Sequence, residues 1–355
     1  MTDHISRSHR RPLTLTPQYS RGIHQHHPAL HRYDPPRPDL TRADLPHAVR
    51  LERTRTRRNS SARTPVFVAA ATLAVLIPLA GLAAPAQAYA ASGGVIRMAT
   101  ASAGTTGVPS GTTLRVHNGD LNITKAGTVI SGLDIRGLVK INAINVTIKN
   151  SIIRGRSVSA PAALVNNLGG RSGLKIIDSE LYPSKPSPDI NGIYGYNFTL
   201  TRVDIHGVID GVHVTGSNVT IANSWLHGNL HYSSDPNQGG KPSHDDSIQI
   251  QKGSNIKVYG STLSGSHNAG VQITQDTGDV SNFSFTNNFA DGGACTINVA
   301  QKSYGPIYGT VVTDNKFGRN TRVANCAIIS PSTTKISTAR NYYTPDSQTV
   351  TVHGG

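Results

Sequence analysis

Over most of its C-terminal two-thirds the chain repeats one phrase of polar and apolar positions: Asn, an aliphatic, a small polar residue, a second aliphatic, then a turn. It reads Asn145-Val-Thr-Ile148, Asn197-Phe-Thr-Leu200, Asn218-Val-Thr-Ile221, Asn255-Ile-Lys-Val258 and Asn282-Phe-Ser-Phe285, with weaker copies at Lys175-Ile176, Val311-Val312 and Lys335-Ile336. With the second aliphatic as anchor, the copies stand at 130, 148, 176, 200, 221, 258, 285, 312 and 336, so the gaps are 18, 28, 24, 21, 37, 27, 27 and 24 residues. A unit of this size with three or four apolar residues cannot bury a face alone, so neighbours must stack as a solenoid. Val, Ile, Thr, Ser, Asn and Gly in period-two alternation make short strands, and the Leu/Ala/Glu spacing of helical repeats is missing. Three strands of four or five residues with their turns need about 22–27 residues per coil, the size of a rung in a right-handed parallel β-helix. The predicted fold is therefore all-β, a solenoid of about nine to eleven coils. A β-sandwich would show turn signals every 8–12 residues or so, with no phrase held in one register.

The recurrent Asn suits a left-handed turn residue that can hydrogen-bond its equivalent one rung away, so an Asn ladder is predicted. One sheet aligns by its alternation: Ile193-Tyr194, Val212-His213-Val214, Ile248-Gln249-Ile250, Val271-Gln272-Ile273 and Ile297-Asn298-Val299. Tyr194, His213, Gln249, Gln272 and Asn298 then form an outward column with a step of about 4.8 Å, offering donors and acceptors to a sugar chain. The same pattern serves a merely solvated sheet face. Cys295-Thr-Ile297 and Cys326-Ala-Ile328 place each cysteine two residues before an inward Ile in successive coils, within reach of a disulfide; two stacked free thiols are the alternative.

Composition divides the chain at its N-terminal third. Residues 1–64 carry 13 Arg, no Lys, five acids and seven of the 15 His without apolar periodicity, which predicts a basic disordered leader. Residues 65–90 contain an uncharged apolar run, Val66 to Ala84, followed by Ala86-Gln-Ala88 and Ala88-Tyr-Ala90, the parts of a secretory signal with its cleavage site. An uncleaved membrane anchor is the competing reading, and would be the chain's one contact with a membrane. The leader supplies +8 of the net +14; after residue 90 there are 21 Lys and Arg against 15 Asp and Glu. The basic pI near 10.0 is thus largely the leader's and does not point to nucleic acid, while the mildly basic remainder, 91–355, suits an acidic polysaccharide. A secreted, monomeric, single-domain solenoid is expected.

The 37-residue gap holds a polar insertion, from His227-Gly-Asn-Leu-His231 to Lys241-Pro-Ser-His244-Asp245-Asp246, that delivers two acids to the start of the Ile248-Gln249-Ile250 strand. Insertions in solenoids map to loops on one face, often the binding face. Asp210 stands three residues before His213 as Asp246 stands three before Gln249, so the two acids share a register on neighbouring rungs. Paired acids raise each other's pKa, which can leave one protonated while another activates water, as glycoside hydrolysis needs. Strict alternation has the opposite consequence. With Ile248, Ile250 and Val212 inward, Asp246 and Asp210 face solvent only if the turn before each strand breaks the alternation; if it does not, they are buried turn residues that accept backbone N–H bonds. His206 and His227, each followed by Gly, occupy equivalent repeat positions and read as structural turn residues.

Asp210-Gly-Val-His213 with Ser217-Asn-Val-Thr-Ile221, Asp245-Asp246-Ser-Ile-Gln-Ile250, and Gly265-Ser-His267-Asn-Ala-Gly-Val-Gln-Ile273 resemble the motifs of the polygalacturonase family within the pectin-lyase-like β-helices. The resemblance covers residues 205–275. It implies an inverting hydrolase of acidic polysaccharides with Asp245 as acid, Asp210 and Asp246 as base pair and His267 in support. His267 lacks flanking glycines, Ile209 stands where the family has Thr, and the family's Arg-Ile-Lys falls near Asn298-Val-Ala-Gln-Lys302. The chain also resembles polysaccharide lyases of this fold, which implies a Lys base with Asp245 and Asp246 holding Ca²⁺. A non-catalytic glycan-binding or adhesin-type solenoid would use the outward column alone. His244, Lys252 and Lys302 join that column as candidate substrate contacts; no zinc-type spacing and no phosphate loop is present in the sequence, so neither a resident metal nor a cofactor is expected outside the lyase reading.

Overall fold

The computed structural model describes residues 101–355. The leader 1–64, the 65–90 signal segment and its alternative as an anchor lie outside the described residues, among which no helix is long and apolar enough to cross a membrane. Twenty-nine short strands and two single-turn 3₁₀ helices succeed one another. Every third strand joins the same sheet, giving sheets of 10, 10 and 9 strands. Neighbours pair in parallel, one coil apart. The chain is a right-handed parallel β-helix of nine complete coils and a tenth with two strands. The right-handed crossover is the one a right-twisted strand selects. The sheets are numbered here by their order in each coil; the first begins with Arg115–Asn118, the second with Leu121–Ile123 and the third with Val129–Ser131.

The anchors of the repeat align in the third sheet, where Ile130, Ile148, Ile176, Leu200, Ile221, Val258, Phe285 and Val312 pair in succession. The last predicted anchor is corrected: Val312 pairs with Thr338, and Ile336 lies opposite Thr310. The hydrophobic residue at 336 drew the sequence alignment two places toward the N-terminus. Inward aliphatics fill the interior, most of them at 0–2 % exposure, joined in the late coils by a stack of Phe283, Phe285 and Phe317 with ring centroids 6.4 and 6.3 Å apart.

Two columns of left-handed residues turn the corners of the third sheet. Asn145, Asn197 and Asn218 stand before its strands, and Asn255 and Asn282 near the start of its longer ones, with φ between 51° and 62°, a conformation that Asn tolerates. Glycine takes the place at 127, 173 and 309, so the predicted amide ladder is short: Asn218 Nδ2 donates to Asn197 Oδ1 at 3.0 Å and Asn255 Nδ2 to Asn218 Oδ1 at 3.4 Å. A second, buried ladder follows the third sheet. There Ser179, Ser224, Ser261, Asn288, Asn315 and Asn341 each accept the backbone N–H of the preceding rung at 2.9–3.2 Å. Each occupies the place three residues after an anchor, a regularity the sequence carries.

The Cys295–Cys326 disulfide joins successive rungs with its Cα atoms 4.7 Å apart, the rung spacing itself. Closing a loop of this length should contribute about 3–4 kcal/mol by restricting the unfolded chain, so Cys295→Ser/Cys326→Ser is expected to lower the denaturation midpoint by that equivalent. Asn315→Ala should cost about 2–4 kcal/mol by stripping buried partners from Asn288 and Asn341. A midpoint unchanged in both variants would remove these two contacts from any role in stability.

Candidate active site

Strand register brings the outward column together as the alternation predicts. Tyr194 pairs with His213, His213 with Gln249, Gln249 with Gln272, and Gln272 with Asn298. Pairing extends it at the early end to Asn166 and Lys140, which the sequence reading did not include. Tyr194 and His213 meet edge to face with centroids 4.4 Å apart. Gln272 is buried and the other four are half-buried.

The strand alternation also holds at the acids. Asp246 is fully buried and Asp210 is 5 % exposed. They continue a third ladder through the wall of the helix: Asn191 Oδ1 accepts the Asp210 N–H and Asp210 Oδ1 accepts the Asp246 N–H, both at 3.0 Å. Both thus take the inward reading. Asp246 Oδ1 accepts from Asn268 Nδ2 at 2.8 Å, while Oδ2 is buried without a hydrogen-bond partner. Burial, and then the charge of Asp210, push the Asp246 pKa well up. Asp210 has one oxygen left over from the ladder. Its Oδ2 lies 3.0 Å from His213 Nδ1, so this inward acid holds a ring on the outward face. His213 Nε2 has no hydrogen-bond partner among the described residues. Burial, and secondarily Asp210, raise the Tyr194 pKa, keeping its phenol protonated.

Asp245 has its oxygens covered by other segments. The insertion folds as a closed clip: Tyr232 and Ser243 exchange bonds at 3.1 and 2.9 Å, and buried Asp235 accepts from Ser243 Oγ at 2.8 Å. The clip seats His231 Nδ1 2.7 Å from Asp245 Oδ1, while Asp245 Oδ2 accepts the His267 N–H at 2.6 Å. Asp245 is fully buried, and burial raises its pKa. The His267 ring lies 3.8 Å from that of His231; its pKa is lowered by burial, then by Arg322 and His231. The candidate acids therefore stand behind the surface, two of them each engaged with a histidine. His231 was not singled out from sequence, because its partners lie 14 and 36 residues away.

His244 is exposed beside this cluster. Lys252 lines an open cleft of about 770 Å³ with Tyr196, Asn218 and Asp279 at the corner between the second and third sheets. Lys302 is ion-paired with Asp276. Comparison with protein-family models, with curated proteins and with solved structures gives no match to this chain.

His206 and His227 pair with each other in the first sheet, so they are strand rather than turn residues. Each binds the acid of the preceding rung: His206 to Glu180 at 3.1 Å and His227 to Asp204 at 3.0 Å, as Arg154 binds Asp134 at 2.5 Å. Tyr182, His206 and His227 stack with centroids 4.9 and 5.0 Å apart. The Glu180 hydrogen bond raises the His206 pKa above its ordinary 6.5. A raised folded-state pKa means the native state binds the proton more tightly than the unfolded chain. The pair's stabilisation is therefore complete below pH 6.5 and fades as pH rises through the folded value. Denaturation midpoints followed upward from pH 6 should fall in the native protein, with the fall reduced in His206→Asn; identical profiles would show that the pair carries no proton-linked stability.

Proposed function

We propose that the protein cleaves an acidic polysaccharide outside the cell by acid–base β-elimination, with the sugar chain lying along the outward column. The carrying observation is the Asp210 carboxylate, which spends one oxygen on the next rung's N–H and directs the other to His213 Nδ1. An amide would serve the ladder equally well. Among the described residues the second oxygen has one hydrogen-bond partner, His213 Nδ1, and by holding that nitrogen it would leave Nε2 to take a proton.

In this reading His213 Nε2 takes the C5 proton of a uronate, whose acidity comes from the neighbouring carboxylate. The C4–O bond breaks as the C4=C5 double bond forms, and the Tyr194 phenol gives its proton to the departing O4. Both groups lie on one face, 4.4 Å apart, which suits removal and delivery of protons from the same side of the sugar. Asn166 and Gln249, on the rungs flanking Tyr194 and His213, offer amide donors to the substrate carboxylate. The disulfide favours an oxidising, extracellular setting, and the signal-like segment at 65–90 supplies the proposed route there. Three-carboxylate hydrolysis is less well supported, because Asp245 and Asp246 are fully buried.

Incubation with a panel of uronate polysaccharides, followed by ultraviolet absorbance of the unsaturated product, tests the proposal. His213→Ala should lower turnover by at least about 10²-fold, the ordinary contribution of a positioned acid or base. Tyr194→Phe should do likewise, and Asp210→Asn should lower kcat while leaving KM and the fold nearly unchanged. New reducing ends without the chromophore would mean hydrolysis, and binding without any cleavage would leave a glycan-binding solenoid; either result overturns elimination.

A further inference from the structure

The insertion and the next rung bring together three groups that no single stretch of sequence brings together. One ring nitrogen of His231, one carboxylate oxygen of Asp245 and one ring nitrogen of His267 lie within 4.8 Å of one another. We propose that these three side chains form a binding site for a divalent transition-metal ion of the zinc class, a site separate from the elimination groups on the outward column.

The donor set argues for that class. Two imidazoles and one carboxylate suit zinc, cobalt, nickel or copper, whereas Ca²⁺ and Mg²⁺ require shells of oxygen. Three protein ligands with a remaining open position form a common zinc arrangement. Donors about 2.0–2.1 Å from a tetrahedral ion stand roughly 3.4 Å apart, so the widest pair must close by about 1.4 Å at most, and the ion would replace the 2.7 Å hydrogen bond between His231 Nδ1 and Asp245 Oδ1, which opens by side-chain rotation to admit it.

The support is already rigid. Asp245 is fixed through the His267 N–H, and the Asn268 N–H donates to its carbonyl at 3.2 Å, tying the start of the strand to the following rung. The Tyr232–Ser243–Asp235 clip fixes the chain next to His231. The His267 ring makes no hydrogen bond among the described residues and lies against the His231 ring. Arg322, which donates to the His267 carbonyl at 3.2 Å, opposes a cation, and the Asp245 charge offsets it. The other histidine cluster, Asp204, His206 and His227, lacks this freedom: His206 is held by Glu180 and His227 by Asp204 and the Trp225 ring at 3.6 Å.

Titration of Zn²⁺ into the full chain, followed by calorimetry, tests the site against His267→Gln, His231→Gln and Asp245→Asn. All four proteins keep the seven leader histidines, so the reading is a difference. The native chain should bind one equivalent more than each variant, or bind that equivalent at least tenfold more tightly. Co²⁺ in place of Zn²⁺ should give a visible absorption band that His267→Gln abolishes. His267→Gln removes a ring without hydrogen bonds, so it decides the matter even where Asp245→Asn fails to fold. Equal stoichiometry and affinity in native and His267→Gln chains, with unchanged Co²⁺ spectra, would overturn the site. Glycan cleavage is not read, so the result stands whatever becomes of the elimination reading.

Discussion

The backbone hydrogen bond between one coil and the next is the constraint on which this structure depends. Each strand is two to seven residues long and belongs to a sheet whose other members come from different coils. No rung can satisfy its own N–H and C=O groups, and no rung encloses enough apolar surface to stand alone. Pairing therefore fixes both the axial step and the lateral register, and a side chain's environment is decided by what occupies the same place one step above and below it.

Stacking in fixed register favours residues that can bind their own kind. Aliphatic columns fill the interior, Ser and Asn ladders capture stray N–H groups at the corner after the third sheet, and a tilted ladder pairs Asp134, Glu180 and Asp204 with a cation or imidazole one rung on. Acids in one column are the costly case. Asp210 and Asp246 are neighbours in the ladder that begins at Asn191, and the burial of Asp246 beside Asp210 resists its ionisation. A second Asn at 210 would complete that ladder without the electrostatic cost, so the carboxylate there is unexplained by architecture alone. Its bond to His213 is the only other use it has among the described residues.

Much of this was legible from residue pattern because a solenoid turns three-dimensional neighbours into a period. The anchor register from Ile130 to Val312, the outward column from Tyr194 to Asn298 and the Cys295–Cys326 pair all follow from aligning copies of a phrase. Period-two alternation also offered the inward placement of Asp246 and Asp210 as the alternative to surface acids, and the burial of both follows that alternative. The reading failed where the period is weak or broken. At the C-terminal coil a lone Ile336 outweighed the less apolar Thr338. The Ser and Asn ladder lies three places beyond each anchor, but its members differ in type and follow a variable left-handed residue, so no single letter marks it.

The insertion marks the physical limit of pattern reading. Residues 228–245 leave the period altogether, so no alignment with neighbouring coils locates their side chains. Their position is set by internal contacts, chiefly the Asp235–Ser243 bond and the exchange between Tyr232 and Ser243, and by Asn237 Nδ2 reaching Asp189 at 3.0 Å on an earlier loop. Those contacts cross eight to 48 residues with no shared motif. A loop anchored at both ends to the solenoid is stiff where its ends are held, and that stiffness lets His231 stand against Asp245 and His267 without a strand of its own. The regular coils supply a ruled surface on which groups recur at a fixed step. The irregular segment breaks the rule once, and it is there that a histidine and a buried acid at its two ends converge with a second histidine from the next rung.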